Sequence, residues 1–482
     1  MSLRLTLFNA ADFINKSRFS SLGLAYIASY LRKYSDFREI YIIESNGMAN
    51  IKRIKPDVVG IYSVTQTFEE ACKLARLIKL EYKNIPIIIG GYHISALPNI
   101  LPDCFDVGVL GEGEETMKEL ITVINKYGVR SEKLREIKGI VFRDEGRVVV
   151  NQARGFINNI DSIPFPARDL ISNTRFSSII TSRGCPYGCI FCSSVKFWGK
   201  PRFHSAGYVV DEMEEIIAKH KAIHISIWDD LFIADRARLE AIANLIQKRK
   251  INKKVSFGCA LRSNLINEEL CSLLKKINVN RISIGFESGS QKILDYLKCG
   301  SVSVEQHVKA VELCKSHRFY TTGTFMIGSP GEDIQDLEKT LELMKRLKLD
   351  GGGNISITTP LPGTELWDYA RQNNIISNDL DATRLGIMAA DFSDIKGFNG
   401  ILLTDKISKE DFFNMAQRLQ KETNKYYIKG LLRWRNMSFK NLRFILSRPK
   451  EFIAVLKFIF KSLLRKASIM DRYVYYYKKM GK

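Results

Sequence analysis

Between residues 3 and 128, short runs of β-branched and aliphatic residues alternate with longer stretches whose apolar positions recur every three to four residues. The short runs at 3–8, 40–43, 58–62, 85–89 and 107–110 read as strands, and 21–34, 67–82 and 114–127 read as helices. This order predicts a doubly wound, parallel α/β sheet, whose ligands sit beyond the carboxyl ends of the strands. Three segments fall at those ends: Ser63-Val64-Thr65, Gly90-Gly91-Tyr92-His93 and Gly111-Glu112-Gly113-Glu114. Their glycines allow a ligand close to the backbone, although each segment alone also reads as an ordinary tight turn. A GxxxxGK phosphate loop is absent, and Gly111-x-Gly113 lacks the third glycine of a dinucleotide fingerprint, so a nucleotide site has little support.

Residues 139–151 read as a hairpin around Asp144-Glu145-Gly146, and 161–168 as a proline-bearing connector. A second alternating series follows, with strands expected near 177–182, 222–228, 254–259, 281–286, 320–327 and 353–358. Helical patterns lie between them, for example at 206–220 and 334–347. Six strand-helix units predict an open, partial parallel barrel with its chemistry at the carboxyl-terminal mouth. The expected division is therefore 1–150, 165–390 and a helical, basic extension at 391–482, in which 401–429 reads as a helix able to close the barrel.

The chain has 482 residues, 45% of them hydrophobic, enough for two or three buried cores. Its beginning lacks the pattern of a secretory signal, which predicts a cytoplasmic protein. The nine cysteines are an odd number with one close cluster, better suited to a reducing compartment and a metal site than to a disulfide framework. That cluster is the most informative part of the chain. Residues 181–193 read TSRGCPYGCIFCS, placing Cys185, Cys189 and Cys192 in the loop after the first barrel strand. Three thiolates on one loop can hold three irons of a 4Fe-4S cubane and leave the fourth open. A structural zinc site, with His204 or Cys259 as fourth ligand, is the alternative, but zinc favours paired CxxC motifs.

CxxxCxxC with Phe191 before its last cysteine resembles the signature of the radical S-adenosylmethionine enzymes. The likeness continues through Trp228-Asp229-Asp230-Leu231-Phe232, Gly285-Phe286-Glu287-Ser288-Gly289, Gly328-Ser329-Pro330-Gly331-Glu332 and Thr359-Pro360-Leu361-Pro362-Gly363-Thr364, all at strand ends. Residues 1–128, with Ser21-Leu22-Gly23-Leu24-Ala25-Tyr26 and the Gly90 and Gly111 loops, resemble the cobalamin-binding domain fused to one branch of that superfamily. The resemblance implies that Cys185, Cys189 and Cys192 bind the cluster and that S-adenosylmethionine chelates its open iron. It assigns Phe191, Glu287, Ser288 and Gly328 to S-adenosylmethionine, and Ser63, Thr65, Gly90, Gly91 and Glu112 to cobalamin. It names no further catalytic residue. Asp229 and Asp230 read equally well as site residues or as a solvated helix start.

The implied reaction is reductive cleavage to a 5′-deoxyadenosyl radical and methylation of an unactivated carbon through cobalamin. A radical oxidation, cyclisation or rearrangement is the alternative, and a tethered, non-catalytic metal-binding protein is a third. The implied partners are a small-molecule or lipid-like substrate and an electron donor such as a reductase, flavodoxin or ferredoxin. No histidine stands in a DxHxxG motif, so cobalamin is expected without a histidine lower ligand. Only Cys72 and Cys104 precede the barrel, too few for a second cluster, and Cys259, Cys271, Cys299 and Cys314 read as core residues.

The net charge of +21 is uneven, since 421–482 holds 17 Lys and Arg against 3 Asp and Glu. Phe452 to Leu464 is apolar but is broken by Lys457 and Lys461, and is too short to span a bilayer. This tail reads either as an amphipathic helix at the inner face of an anionic membrane or as a cap packed on the protein. Nucleic acid ranks last, because the aromatics come in helical runs and not as isolated stacking platforms.

Overall fold

The computed structural model describes residues 3–13, 21–45, 47–172, 175–377, 382–385, 392, 395 and 397–432. Its first sheet contains β1 (Leu5–Asn9), β2 (Ile40–Ile43), β3 (Val58–Tyr62), β4 (Ile87–Gly90) and β5 (Val107–Val109), extended by the antiparallel pair β6 (Ile140–Asp144) and β7 (Arg147–Val150). The spatial order is β2-β1-β3-β4-β5-β6-β7, with the first five parallel. The expected hairpin at 139–151 thus forms one edge of this sheet.

Side chains alternate across a strand, and here each face has its own apolar core. Leu5, Leu7, Val58, Ile88 and Val107 pack with Leu31, Leu120 and Ile121 from the helices Leu22–Tyr34 and Gly113–Tyr127. Phe8, Val59, Ile61, Ile87 and Ile89 face Ala71, Leu74 and Ile78 of the helix Phe68–Glu81. The doubly wound arrangement follows from this division.

The next strands are β8 (Phe176–Ile179), β9 (Ser182–Arg183), β10 (Arg202–Phe203), β11 (His224–Ile227), β12 (Ser256–Leu261), β13 (Val279–Glu287), β14 (Tyr320–Ile327) and β15 (Gly353–Ile357). All but β9 and β10 form a six-stranded sheet in the order β15-β14-β13-β12-β11-β8, parallel throughout. Ile282, Ile284, Phe286, Phe325 and Ile327 lie in one large core with the flanking helices. Alternate positions on the strands are only half-buried and mainly polar, including Ser226, Ser283, Thr322, Thr324, Asn354 and Ser356. One face of this partial barrel is therefore sealed by helices, and the other is polar and open.

The last described helix, Lys409–Leu432, packs on β15 and on the helix Ile334–Leu347, burying Phe412, Phe413, Ala416 and Leu419. It closes the barrel edge, as expected, but starts later than the sequence pattern suggests. Residues 401–408 are not helical; Ile401 and Leu403 are buried in a separate apolar cluster. The basic tail beyond 432 lies outside the described residues. Among the described residues, no helix is long and apolar enough to cross a membrane.

Candidate functional site at the cysteine loop

The cysteine loop leaves and re-enters the fold through a two-stranded ribbon, β9 with β10, in which Arg183 pairs with Arg202. Gly184 opens the loop at φ 94°, where a Cβ would stand 3.2 Å from Trp198 and 3.3 Å from Pro201. Asp230 holds this entry by accepting from the Gly184 amide at 3.2 Å and from the Ser194 hydroxyl. Its neighbour Asp229 is buried and accepts from the Thr181 amide at 2.6 Å, the Thr181 hydroxyl and the Ser182 hydroxyl. Burial raises the Asp229 carboxyl above its ordinary range, and those donors offset part of the rise. Both aspartates brace the loop and neither starts a helix; Asp229 is buried, whereas Asp230 is exposed to solvent, as the alternative reading expects.

Further along, the Ile190 amide donates to the Leu297 carbonyl at 3.1 Å, and the Cys192 amide to the Cys189 carbonyl at 3.0 Å. Ile190 is seated among Ile293, Leu297, Leu366 and Trp367, with Phe191 at the edge of the same cluster. Cys185, Cys189 and Cys192 are all half-buried. Burial raises the Cys185 thiol and pushes Cys192 up to about 11; a bound cation reverses that preference and favours thiolate. Arg262 donates through Nη1 to Cys189 Sγ at 3.0 Å while its guanidinium covers the Tyr187 ring at 3.8 Å. Among the described residues, no three His, Cys, Asp or Glu side chains meet closely enough to hold a single metal ion. A cubane places each thiolate on a different iron, so its ligands surround a space and do not converge on a point. Three half-buried thiols on a braced loop, with a cation against one of them, fit that donor set.

Glu287 ends β13 at φ 61°, where the β13–β14 register shifts. Its carboxylate pairs with Lys298 Nζ at 3.0 Å, and both side chains are buried. Lys298 also donates to the Gly285 carbonyl at 2.6 Å. The Ser288 hydroxyl lies 3.3 Å from the Thr340 hydroxyl and accepts from the Ser290 amide, so its contacts are within the fold. Gly328, at φ 83°, donates its amide to Glu332 at 2.5 Å. Burial pushes the Glu332 carboxyl up to about 8.

At the first sheet, Gly91 has φ 111° and a Cβ there would stand 2.3 Å from the Ser63 carbonyl oxygen. The Ser63 hydroxyl, directly after β3, is buried with no partner among the described residues, the kind of orphaned polar group that a ligand satisfies. Thr65 Oγ1 lies 3.1 Å from His93 Nδ1, and the His93 ring lies 4.0 Å from Phe68. Burial pushes His93 down to about 4, leaving it neutral at pH 7. These loops suit a large ligand approaching the backbone without a cationic histidine.

Glu112 has a different environment from the one expected of a cobalamin contact. It accepts from Arg183 Nη1 at 2.5 Å, Arg202 Nη1 at 2.9 Å and the Ile157 amide at 2.7 Å. Arg183 Nη2 also donates to Glu114, whose carboxyl burial would raise but whose guanidinium partner brings below its ordinary value. Tyr92 is a second link: its phenol donates to the Pro362 carbonyl at 2.7 Å and its ring lies 5.5 Å from that of Phe197, on the helix Ser193–Trp198 after Cys192.

Arg183 and Arg262 escape a reading of the sequence, because each works through a partner about 70 residues away; Lys298 escapes it because it folds back from the next helix onto Gly285 and Glu287, and Tyr92 is read only as part of the Gly90 segment. Only Arg183 carries a local hint, standing directly before Gly184-Cys185. Cys299 corrects the core assignment. It is exposed, adopts φ 53° after the helix Gln291–Lys298, and donates Sγ to the Gly188 carbonyl at 3.2 Å.

Residues 179–344 match the family model of the radical SAM superfamily, and 16–121 match that of the B12 binding domain. An uncharacterized methyltransferase of Pyrococcus horikoshii is 32% identical over 74% of this chain and 79% of its own. The anaerobic magnesium-protoporphyrin IX monomethyl ester cyclase of Rubrivivax gelatinosus is 26% identical over 71% of this chain and 65% of its own. Among solved structures, the cobalamin-dependent S-adenosylmethionine radical enzyme OxsB, with aqua-cobalamin and S-adenosylmethionine bound, shares the fold with a TM-score of 0.68. That likeness covers 95% of this chain and 72% of OxsB at 19% identity. The two matched regions and the fold define a radical enzyme with a cobalamin-type domain before its barrel. The chain belongs to the cobalamin-dependent radical S-adenosylmethionine methylase family, whose cofactors are a 4Fe-4S cluster, S-adenosylmethionine and cobalamin.

Proposed function

We propose that this enzyme methylates an unactivated carbon of a small-molecule substrate. Cys185, Cys189 and Cys192 hold the cluster; the Phe191 backbone, Glu287, Gly328 and the backbone around Ser288 receive S-adenosylmethionine; Ser63, Thr65, Gly90 and Gly91 receive cobalamin. We take 1–150 and 165–390 as the units carrying the two halves of the chemistry. The cofactors supply a carbon-centred radical and a transferable methyl group. This chain's residues bind and orient them: Asp229 and Asp230 brace the cysteine loop, Arg262 faces one thiolate, and Lys298 fixes Glu287.

The observation that carries this reading is the position of Tyr92. It follows the Gly90-Gly91 turn of the cobalamin-type sheet, and its ring lies 5.5 Å from that of Phe197, on the helix Ser193–Trp198 that directly follows the last cluster cysteine. The two candidate cofactor mouths therefore adjoin each other, as methyl transfer between cofactors requires. Anaerobic incubation of reduced, reconstituted enzyme with methyl-labelled S-adenosylmethionine and candidate substrates tests it. Label in the product supports methylation; 5′-deoxyadenosine with an altered but unlabelled product would establish radical oxidation or cyclisation instead. An electron donor of the flavodoxin or ferredoxin type is the expected partner. The surplus of Lys and Arg beyond Lys421 suits contact with an anionic membrane and a lipid-like substrate.

A further inference from the structure

We propose that Arg183 is a positioning residue that sets the separation of the cobalamin and cluster sites, an inference that rests on the functional reading above. Arg183 stands on β9, two residues before Cys185, and reaches two carboxylates at once: Nη1 donates to Glu112 and Nη2 to Glu114. Those carboxylates flank the turn between β5 and the helix Gly113–Tyr127, at the carboxyl end of the first sheet. Arg202 faces Arg183 across the ribbon, beyond the other end of the cysteine loop, and donates to the same Glu112. Both ends of the loop that carries the cluster cysteines are thus fastened to a single turn of the cobalamin-type sheet. Glu112 also accepts from the Ile157 amide, which adds the connector between the units to the joint.

The four side chains are largely buried, at 7% exposure for Arg183, 4% for Glu112, 6% for Glu114 and 13% for Arg202. Their charges cancel, so the joint needs no outside ion, although Nε and Nη2 of Arg202 are buried without a partner among the described residues. Apolar packing could bury the same surface, but it would tolerate sliding. A guanidinium forked between two fixed carboxylates defines direction as well as distance. Trp198 and Phe156 lie against the two guanidiniums at 5.3 Å and 4.6 Å and help to exclude water. A group passing between two cofactors tolerates little displacement, and this joint supplies that constraint.

The test uses the reconstituted full chain, with Glu114→Gln and Arg183→Lys compared with the parent. Glu114 is bonded to Arg183 from outside the cysteine loop, and lysine keeps the charge at 183 while losing the fork. Both variants should retain iron and cobalamin. Electron-spin relaxation between cob(II)alamin and the reduced cluster should show a broader or longer separation, and transfer of label from S-adenosylmethionine to cobalamin should fall on the order of 10- to 100-fold. In the cofactor-free chain, amides at 155–158 and 181–184 should exchange faster than in the parent. Unchanged separation together with unchanged exchange overturns the proposal, as does loss of cobalamin from Glu114→Gln, which would make the carboxylate a cofactor contact. If the parent itself binds no cobalamin, the functional reading fails, and unchanged amide exchange still decides against the joint. Should Arg183→Lys fail to fold, Glu114→Gln carries the same comparison.

Discussion

Glu287 and Lys298 form a buried ion pair, Nζ to Oε1 3.0 Å, at the end of the central barrel strand β13. Lys298 comes from the helix that follows and also holds the Gly285 carbonyl, so the strand end, its bulge and the helix are locked together. Glu287→Gln leaves a buried ammonium without its counter-ion, a loss of about 3–5 kcal/mol. Pairing that change with Lys298→Met separates the two roles of Glu287. Stability should largely return in the double variant, measured by thermal unfolding. Cleavage of S-adenosylmethionine should stay well below the parent while iron content is kept. Recovery of cleavage along with stability would make Glu287 purely structural.

Cobalamin should bind without a histidine lower ligand. His93 is neutral, bonded to Thr65 and packed on Phe68 inside the first sheet's core. His93→Ala should therefore leave the base-off absorption spectrum of the bound cofactor unchanged, while lowering stability by about 1–3 kcal/mol through lost packing. A shift between base-on and base-off spectra in the variant would identify His93 as a ligand.

Glu332 gives the fold a pH dependence with a definite sign. Buried, its carboxyl keeps its proton until about pH 8, whereas its ordinary value is 4.5. Between those values the folded state binds more protons than the unfolded chain, so stability from this group declines as pH rises through that window. Glu332→Gln mimics the protonated acid and does not titrate. Relative to the parent, it should gain up to about 1.4 kcal/mol per pH unit between roughly pH 5 and 8. A stability difference that is flat across that range in thermal melts would show that Glu332 ionises normally.

A chain ending at Leu432 keeps the helix that closes the barrel edge and removes most of the basic surplus. It should remain folded and still form 5′-deoxyadenosine, but should no longer float with anionic liposomes at low salt. The full-length protein should float, and release as salt rises, because charge attraction is screened. Failure of the full chain to float would leave the tail as a cap on the protein itself.

Much of this molecule is legible in its sequence, because strand and helix periods are local. Each parallel strand of both sheets falls within a few residues of its expected place, and the cysteine loop follows the first barrel strand as its spacing implies. What is not legible depends on long-range pairing. Arg183 meets Glu112 and Glu114 some 70 residues earlier, and although each stands in a recognisable segment, nothing local says that the two segments pair. The ribbon of β9 and β10 is two residues long on each side, below what alternation can reveal. Cys299 continues a helical pattern, yet it occupies the left-handed position that ends the helix before Gly300, which turns its side chain outward. The late start of the final helix was readable: Ser408 accepts from the Asp411 amide, and a serine followed three residues later by an acid marks a helix start.

On this reading Cys185, Cys189 and Cys192 hold a cluster that cleaves S-adenosylmethionine. The most direct test is 5′-deoxyadenosine formation by anaerobically reconstituted, reduced enzyme, measured beside iron and sulfide content. The parent should bind four irons and four sulfides, on the order expected of one cubane, and release 5′-deoxyadenosine, while the triple change of the three cysteines to Ala should do neither. Full 5′-deoxyadenosine formation by the triple variant would contradict the account.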